Sequence, residues 1–473
     1  LVEREAIAPQ VADLGERFAA RLATPPRVNT ATELFSRSVA APLEFPTPLE
    51  EAARRLRPDS SSGDYVDRVL AEEWPRQAGF LPGCDTSALP LPGSLEIAAD
   101  QVADLARQVQ GQQLTALGPR DRKALGRDLP RVLPLLEHPQ PAEMSFFERR
   151  RLRRFLQRLA AADPEAMHCA ARRWALLLDE AWLNRVRSLM AEHPRASKPW
   201  ILRRSTDMGD ILFGGTPGTR WQGDNVLALF DLGGDDIHGI DAPADFAGQP
   251  QLLVDFAGND RFESSGPGGY SAGLGRVALL RDESGDDVYL GSRLSQGAAI
   301  LGAGVLQDLA GDDHYIARDL AQGMALAGLG LLLDSSGRDR YQLAALGQGL
   351  GLQQGLGMVA DLAGDDHYMA LGGKPSLYGT PGLTDAWAQG VGLGLRGLAA
   401  GGVGLLVDGG GADQYEAGNF AQGGSYYLGA GLLLDFGDGA DITSGSRYAQ
   451  AWGAHAGVGY LFNEAGDDSY RSR

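Results

Sequence analysis

Short apolar runs that end in an acidic turn recur throughout the second half of the chain. In every run the residue two positions before the turn is aliphatic, and the residue three positions before it is also apolar. Each run ends at what we call a first aspartate: Asp231, Asp255, Asp282, Asp308, Asp334, Asp361, Asp408 and Asp435, with Asn463 in the ninth place. Glycines interrupt the apolar residues, and no helical stripe continues for about ten residues, so the pattern predicts short β-strands.

The turn keeps a fixed composition. A ring lies seven residues after the first aspartate: a histidine at His238, a phenylalanine at Phe262 and a tyrosine in most other copies. Five residues after the first aspartate comes a second aspartate: Asp236, Asp260, Asp287, Asp313, Asp339, Asp366, Asp413 and Asp468. Fourteen residues after it, several copies have a glutamine: Gln296, Gln322, Gln348 and Gln422. Because the period is mostly 24 to 28 residues, the sequence predicts a parallel β-solenoid of about nine coils, stacked roughly 4.8 Å apart.

The two apolar columns before each first aspartate predict a sheet that is covered on both sides. Neighbouring residues of a strand point to opposite faces, so Leu331 and Leu332 cannot both face the interior of the solenoid. A sheet that is buried on both faces has continuous apolar runs of this kind. We therefore expect the outer column, which includes Leu279, Leu331 and Leu405, to be covered by the helical half of the chain or by a second molecule.

The first half of the chain has a helical pattern. Apolar residues at helical spacing, for example over Glu3–Leu22, alternate with proline-rich joints. Ser145 and Glu148 have the spacing of a capping box, which predicts the start of a helix. Asp163, which is followed by proline, predicts a further, long helix that ends at about Glu192.

The predicted fold is α+β and multidomain. A mostly α-helical domain at 1–204 is followed by a capping segment at 205–230 and a C-terminal parallel β-solenoid at 231–473. The spacing between Asp361 and Asp408 is much longer than the others, which predicts an inserted loop near 372–386. Long loops on a rigid scaffold often carry function. We expect partner-binding residues here: Lys374, Tyr378 and Trp387.

The charge of the chain is concentrated in the solenoid. From residue 205 onward there are 34 acidic and 13 basic residues, and the net charge of the whole chain is −18. An acidic rod is a poor surface for nucleic acid, because phosphate contacts need lysine and arginine. No run of about eighteen apolar residues occurs, so no transmembrane segment is predicted.

One predicted helix is strongly basic. The segment Arg149–Arg158 contains six arginines. A run of this kind is usually a solvated helix face. The alternative is peripheral contact with an anionic surface, either lipid headgroups or an acidic protein, through residues such as Arg150 and Arg154.

The chain has two cysteines, Cys84 and Cys169. They are compatible with one disulfide in an oxidising compartment and with two buried thiols. His168 beside Cys169 is more typical of a buried histidine and thiol than of a metal site. The first residue is Leu1 rather than methionine, which fits either a removed leader peptide or a trimmed chain.

The stacked aspartates create an electrostatic problem. Two carboxylates about 5 Å apart repel by about 3 kcal/mol at an effective dielectric constant near 20. One alternative is that the aspartates only cap their own turns through backbone N–H groups, with no metal. The other is that a hard cation such as Ca²⁺ lies between the turns and compensates the remaining charge. We favour calcium, because many turns add a third acid: Asp235, Asp286, Asp312, Asp365 and Asp467. The expected metal ligands are Asp231, Asp236, Asp255, Asp260, Asp282, Asp287, Asp308, Asp313, Asp334, Asp339, Asp361, Asp366, Asp408, Asp413 and Asp468.

These turns resemble the calcium-binding turns of RTX-type β-rolls, in which glycine and aspartate recur and calcium lies between stacked turns. That family repeats about every nine residues, so the similarity covers turn chemistry and not topology. The chain is also similar to the GDD-and-QG repeat solenoids of bacterial surface proteins. The resemblance implies a periplasmic, outer-membrane-associated or secreted location, with other protein subunits or a cell-surface assembly as partners.

Two functions from different classes fit these features. The first is a non-enzymatic, calcium-stabilised scaffold or protein-binding module outside the cytoplasm. The second is a carbohydrate-active enzyme, a polysaccharide lyase or hydrolase, because parallel β-helices host such enzymes. An enzyme needs a singular group of residues, whereas these acids recur in every coil. Since only Lys374, Asp385 and the Asp438/Asp441 pair lie outside the repeat, we favour the scaffold and expect no catalytic residue.

Overall fold

The computed structural model describes residues 51, 53–58, 62–75, 84, 86–137, 144–223, 225–239, 246–264, 266–269 and 271–472. The helix expected at Glu3–Leu22 lies outside these residues. In the described part of the chain, helices precede residue 192 and β-strands follow from residue 200. The predicted fold class is confirmed: a helical region is followed by a parallel β-solenoid of about nine turns.

The helical region begins with a short helix and continues with longer ones. They are α1 (Ser62–Arg68), α2 (Leu95–Ala116), α3 (Pro119–Leu136), α4 (Phe146–Leu159), α5 (Pro164–Trp174) and α6 (Glu180–Ala191). A π-helical turn, Val69–Glu73, continues α1, and a 3-10 turn, Ala175–Leu178, follows α5. The predicted capping box is present at the start of α4, where the Glu148 side chain accepts the N–H of Ser145 at 2.9 Å and Ser145 Oγ accepts the N–H of Glu148.

The single long helix predicted from Asp163 to about Glu192 is wrong, because the chain turns at Asp179. This residue has φ −60° and ψ 126°, and its side chain accepts the N–H of Trp182 at 3.0 Å. Asp179 is therefore the N-cap of a new helix, α6. The apolar periodicity continues across the break, which is why the sequence pattern did not reveal it.

Three sheets extend along the solenoid. Sheet 1 contains Trp200–Thr206, Gly209–Gly214, Val226–Asp231, Gln251–Asp255, Val277–Asp282, Ala303–Gln307, Leu329–Asp334, Leu356–Asp361, Val403–Asp408, Ala430–Asp435 and Val458–Asn463. Sheet 2 contains Arg220–Gln222, Ile237–Gly239, Arg261–Glu263, Val288–Leu290, His314–Ala321, Arg340–Gly347, His367–Ala370, Lys374–Pro375, Thr384–Ala388, Gln414–Ala417, Asn419–Ala421, Ile442–Gly445 and Ser469–Ser472. Sheet 3 contains Gly273–Leu274, Ala299–Ile300, Ala325–Leu326, Leu350–Gly351, Val391–Leu393, Gly424–Tyr426 and Trp452–Ala454.

Each coil passes from sheet 1 through the acidic turn to sheet 2, and then through sheet 3 to the next coil. The pairing keeps equivalent residues in register, as in Asp334 with Asp361 and Tyr315 with Tyr341. Repeated residues therefore form columns along the solenoid, as the sequence predicts.

A hairpin covers the N-terminal edge of sheet 1. Trp200–Thr206 pairs antiparallel with Gly209–Gly214, which in turn pairs parallel with Val226–Asp231. Uncovered sheet edges favour pairing with other chains. The segment around 205–230 thus closes one end of the sheet, and it already supplies strands to both sheet 1 and sheet 2.

The inserted residues form a second hairpin on sheet 2. Lys374–Pro375 pairs antiparallel with Thr384–Ala388. The latter strand also pairs with Arg340–Gly347 and with Asn419–Ala421. The insertion is therefore anchored in the solenoid on both sides.

The two faces of sheet 1 have different neighbours. The residues two positions before the first aspartates, such as Leu332, pack with the ring column in the interior. The residues three positions before them pack in the same core as the helices. In this outer column Leu279, Leu331 and Leu405 are all buried, so the prediction of a sheet covered on both sides is confirmed.

Helices α5 and α6 bind to the outer face of sheet 1. The indole N–H of Trp174 donates to the carbonyl of Gln251 at 2.9 Å, and the Trp182 ring packs against Phe230. The Arg187 guanidinium forms an ion pair with Glu283 at 2.9 Å. The helical region and the solenoid consequently share one hydrophobic core.

A column of glycines in sheet 1 lets the interior backbones approach each other. A Cβ atom at Gly330 would lie 2.2 Å from the Met324 carbonyl oxygen, and one at Gly404 would lie 2.1 Å from the Val391 carbonyl oxygen. No side chain fits at these distances. Glycine within a strand often marks such a close approach of another backbone.

We predict that Gly330→Ala lowers the free energy of unfolding by about 1–3 kcal/mol or more, because the methyl group overpacks the interior against a carbonyl oxygen. Urea denaturation of the full chain measures this change. Gly111→Ala is the matched control, since Gly111 lies in α2 with open space around it. The control is expected to gain about 0.5–1 kcal/mol. Equal stabilities of the two variants would contradict the close packing.

Candidate metal centre

The first aspartates are buried in the interior, where they cap their own turns. In most coils one oxygen accepts the backbone N–H two residues further on, as Asp308 does from Ala310 at 3.2 Å and Asp334 from Ser336 at 3.1 Å. All eight first aspartates are at most 2 % exposed. Turn capping is therefore present, but it uses one oxygen of each carboxyl group.

The second oxygen accepts a hydrogen bond from the ring of the preceding coil. The tyrosine hydroxyls donate from Tyr289 to Asp308 at 2.6 Å, Tyr315 to Asp334 at 2.6 Å, Tyr341 to Asp361 at 2.7 Å, Tyr368 to Asp408 at 2.7 Å and Tyr415 to Asp435 at 2.8 Å. The same rings stack on one another with centroids 4.7 Å to 5.0 Å apart. Each ring thus connects its own coil to the carboxyl group of the next.

The second aspartates bind the backbone of the neighbouring coil. From Asp260 onward, one oxygen accepts the N–H of the second aspartate before it, for example Asp339 Oδ1 from Asp313 N at 2.6 Å and Asp413 Oδ1 from Asp366 N at 2.7 Å, whereas Asp236 accepts the N–H of Thr219. The hydrogen bonds run in the same direction along the whole column. They hold successive acidic turns at a fixed separation.

The other oxygen of the second aspartates has no hydrogen-bond donor among the described residues. This applies to Oδ2 of Asp236, Asp260, Asp287, Asp313, Asp339, Asp366 and Asp413. The same residues are at most 2 % exposed. A buried carboxylate oxygen without a partner raises the free energy of the folded state. Each of these seven atoms therefore requires a proton or a bound cation.

Burial raises the pKa of the interior carboxyl groups, and the neighbouring aspartates raise it further. The pKa of Asp308 rises to about 8, that of Asp313 to about 10 and that of Asp366 to about 12. The pKa of Asp334, which is fully enclosed, rises well above its usual range. Without a counter-charge these groups retain protons at neutral pH, and a bound cation would release them.

The structure brings the predicted ligands together in overlapping clusters. A cluster combines the two aspartates of one coil with the first aspartate of the next, such as Asp308, Asp313 and Asp334, whose closest oxygens lie within 4.8 Å of one another. Similar groups form at the coils of Asp255 and of Asp282. Only the predicted ligand Asp468, in the last coil, is not fully enclosed.

The ends of the column use donors and acceptors that differ from those of the regular coils. At the N-terminal end, the Trp221 indole N–H donates to Asp231 Oδ2, and His238 Nε2 lies 3.0 Å from Asp255 Oδ2. Towards the C-terminus, Asp441 acts as a second aspartate, because it accepts the N–H of Asp413 at 2.9 Å. Asp441 lies six rather than five residues after Asp435, so the sequence already shows a slip of one residue in the repeat at this coil.

The additional acids of the turns do not face this interior. Asp286 and Asp312 are exposed, and each accepts a backbone N–H from the next coil at 3.0 Å. Asp235 and Asp365 accept backbone N–H groups in the same way. They stabilise the stacking at the surface rather than adding interior ligands.

The interior donor set fits a hard cation. All ligand atoms in the repeating clusters are carboxylate oxygens, which Ca²⁺ prefers. The seven Oδ2 atoms without donors would be its first ligands, and a divalent ion per coil would match the two carboxylates of that coil. Only the N-terminal cluster of Asp231, Asp236, His238 and Asp255 adds a nitrogen.

The stacked glutamines do not hydrogen-bond to one another along the solenoid. Gln322 Nε2 donates to the carbonyls of Tyr315 at 3.1 Å and Gln342 at 3.2 Å instead of to the next glutamine. The amide oxygens of Gln296, Gln322, Gln348, Gln389 and Gln422 have no donor among the described residues. Each glutamine therefore hydrogen-bonds to two adjacent coils at the corner between sheets 2 and 3.

The predicted partner-binding residues lie at two separate places. On the insertion, Tyr378 is 48 % exposed, whereas Trp387 is 3 % exposed and stacks on Phe420 at 4.0 Å. Lys374 forms an ion pair with Glu137 at 2.7 Å, so it connects the insertion to the helical region. Arg150 and Arg154 are exposed on α4.

Cys84 and Cys169 form a disulfide bond. The neighbouring His168 is buried, and its Nε2 lies 2.7 Å from the Leu70 carbonyl oxygen. Burial lowers the pKa of His168. Since both cysteines are oxidised, they offer no thiolate to a metal ion.

The singular acids considered for an enzyme are held in structural contacts or lie apart. Asp385 accepts the N–H of Leu377 at 2.9 Å and the Asn419 amide at 2.8 Å. Asp441 belongs to the interior column, whereas Asp438 is exposed. These three carboxyl groups therefore serve different parts of the solenoid.

No family model, no curated protein and no solved structure matches this chain. The similarity of the turns to RTX-type repeats accordingly stays a prediction. Among the helices that the structure describes, none has both the length and the apolar character needed to cross a membrane.

We predict that Tyr341→Phe lowers the free energy of unfolding by about 1–3 kcal/mol, because Asp361 Oδ2 loses its buried donor. Thermal and urea unfolding measure the effect. Tyr470→Phe is the control, since Tyr470 stands in the same column position but is 50 % exposed. A loss as large in the control as in Tyr341→Phe would contradict the role of the interior hydroxyl.

Proposed function

We propose that this protein is a non-enzymatic, calcium-stabilised β-solenoid that acts as a scaffold or protein-binding module outside the cytoplasm. The observation that carries the proposal is the column of seven buried second-aspartate oxygens without a donor. The same atom recurs in seven successive coils, as expected of a structural element. A substrate site, in contrast, is expected to be singular.

The disulfide between Cys84 and Cys169 supports the proposed location. Disulfides persist in oxidising compartments and are rare in the cytosol. We propose a periplasmic, outer-membrane-associated or secreted protein.

We predict that calcium raises the melting temperature of the full chain. A ligand that binds only the folded state stabilises it by about 2.7 kcal/mol at a hundredfold excess over its Kd. For a solenoid of this size the shift is roughly 5–10 °C. Differential scanning calorimetry in excess calcium and in excess chelator measures it.

Asp313→Asn and Asp312→Asn form a matched pair for this experiment. Asp313 is an interior ligand, whereas Asp312 is exposed and its replacement keeps an oxygen that accepts the N–H of Arg338. The calcium response is expected to fall only in Asp313→Asn. If the melting temperature does not change with calcium but falls between about pH 6 and about pH 9, the column is stabilised by protons shared between carboxyl groups and not by calcium. Such a fall is the sign expected of carboxyl groups whose folded pKa is raised.

We further propose that the exposed tip of the insertion contacts a protein partner. Leu377 and Tyr378 are 40 % and 48 % exposed, and the Tyr378 ring lies beside Tyr448, which is also exposed. The Arg447 guanidinium lies 5.2 Å from the Tyr378 ring centroid. Aromatic side chains with a polar end are typical contact residues.

A photo-crosslinking residue in place of Leu377 is expected to capture a defined protein in the native host. The same residue in place of the exposed Asp286 is the control. Immunoblotting of the cross-linked products compares them. Capture of the same products at both positions would contradict a specific contact at the insertion.

A second surface, on α4, fits an anionic lipid layer. Phe146 and Phe147 are 72 % and 75 % exposed at the start of the helix. Arg150 and Arg154 follow Phe146 at intervals of four residues, so all three lie on one face. Arg150, Arg151, Arg153 and Arg154 have no hydrogen bond or ion pair within the described part of the chain. Exposed aromatics beside unpaired arginines are typical of interfacial membrane contacts.

We predict that the full chain sediments with phosphatidylglycerol vesicles but not with phosphatidylcholine vesicles. Arg150→Gln with Arg154→Gln is expected to reduce the bound fraction severalfold, because each arginine near an anionic membrane contributes about 1 kcal/mol. Arg195→Gln with Arg471→Gln removes the same charge elsewhere and serves as the control. Equal binding of both double variants, or no binding to either lipid, would contradict the proposal and favour a solvated face.

One observation favours the alternative of a carbohydrate-active enzyme. A cleft of about 560 Å³ between α3, sheet 2 and the insertion collects the non-repeating residues Glu137, Asp319, Lys374 and Asp385. Arg293 lies between two of them, 2.6 Å from Glu137 and 2.7 Å from Asp319. These ion pairs join the helical region to the solenoid, so we propose a structural role. Turnover of an acidic polysaccharide that is lost in Glu137→Gln would overturn this assignment.

A further inference from the structure

One coil departs from the hydrogen-bond pattern of the ring column. At this position Phe262 replaces tyrosine, and its ring stacks between His238 and Tyr289 with centroids 4.7 Å from each. Phenylalanine keeps the stacking but has no hydroxyl group. The first aspartate of the next coil, Asp282, consequently lacks the donor that Asp308 receives from Tyr289.

The missing hydroxyl leaves a buried oxygen without a fixed donor. Asp282 Oδ2 accepts no hydrogen bond from a ring or a backbone N–H among the described residues, and Asp282 is 0 % exposed. The Asp282 carboxyl group instead lies in hydrogen-bonding contact with that of Asp287, with which it can share a proton. Asp282 Oδ1 accepts the N–H of Ser284 at 3.0 Å, so only Oδ2 is left over. Every other first aspartate from Asp255 to Asp435 has a ring donor on this oxygen, or a ring nitrogen in the case of Asp255.

Further oxygens without donors lie beside it. Asp287 Oδ2 in the same coil and Asp260 Oδ2 in the preceding coil are also buried without a donor. Asp282 belongs to two clusters, one with Asp287 and Asp308 and one with Asp255 and Asp260, in each of which the closest oxygens lie within 4.8 Å. Asp282 is therefore the place in the column where the fewest carboxylate oxygens accept a hydrogen bond from the protein.

Within the described part of the chain, no lysine or arginine pairs with Asp282. The neighbouring Arg281 points to the opposite face of the strand, where it pairs with Glu180 at 2.7 Å and Glu283 at 3.2 Å. Oxygen ligands without nitrogen or sulfur select a hard cation such as Ca²⁺.

We propose that Phe262 creates a discrete calcium site centred on Asp282, and that this site binds more tightly than the rest of the column. The missing hydroxyl removes a hydrogen bond that would otherwise occupy the ligand oxygen. The inference rests on the proposed calcium stabilisation and adds to it the place where the first ion binds. In the coils with a tyrosine, calcium must compete with the tyrosine hydroxyl for the same oxygen of the first aspartate.

The test is the replacement Phe262→Tyr in the full chain. Tyrosine occupies the equivalent position in the following coils, so the variant is expected to fold. The new hydroxyl should donate to Asp282, raise the melting temperature in chelator and weaken the tightest calcium site by roughly tenfold or more. Isothermal titration of the calcium-free protein with calcium alone measures the affinity and the number of sites.

Two further variants complete the experiment. Tyr315→Phe removes the donor to Asp334 and is expected to create a second tight site. Phe147→Tyr adds the same hydroxyl at a residue that is 75 % exposed, and it should titrate like the wild type.

The outcomes separate this inference from the proposed function. If the wild type binds calcium but Phe262→Tyr has the same tightest site, the Asp282 site is wrong and calcium stabilisation stands. If the wild type takes up no calcium, the proposed stabilisation fails, and the Asp282 site fails with it. Loss of the tight site only in Phe262→Tyr supports both.

Discussion

The burial of two carboxyl groups in every coil is the constraint on which the solenoid depends. Three of the four oxygens are satisfied by fixed donors: the turn, the ring of the preceding coil and the backbone of the neighbouring acidic turn. These donors come from adjacent coils, so no coil can satisfy its aspartates alone. The remaining oxygen links the stability of the rod to a proton or a cation.

The outer face of sheet 1 imposes a second requirement. An apolar column such as Leu279 and Leu331 cannot remain in water without a large free-energy cost. Helices α1 and α5 contact strands of this face, and α6 is held to it by the ion pair of Arg187 with Glu283. The helical region and the solenoid therefore share one hydrophobic core.

Specific function is most readily sought where the repeat is broken. The regular positions are fully used in holding the coils together. The departures are Phe262 in the ring column, the hairpin within 372–386, and the exposed aromatic and basic face of α4. Each presents groups that the fold itself does not satisfy, which is the physical basis for assigning binding to them.

The sequence by itself determined the coil and its period, because identical residues at one spacing must stack. It also determined that both faces of sheet 1 are covered, because neighbouring strand residues point to opposite faces and both are apolar. It also revealed the aspartate columns. Only the tertiary structure decided what those aspartates contact, since the partner of Asp361 is Tyr341 of another coil. The break at Asp179, the pairing of Cys84 with Cys169 and the place of Asp441 were decided in the same way. The contacts between coils and the disulfide join residues that are distant along the chain, and no local pattern specifies them.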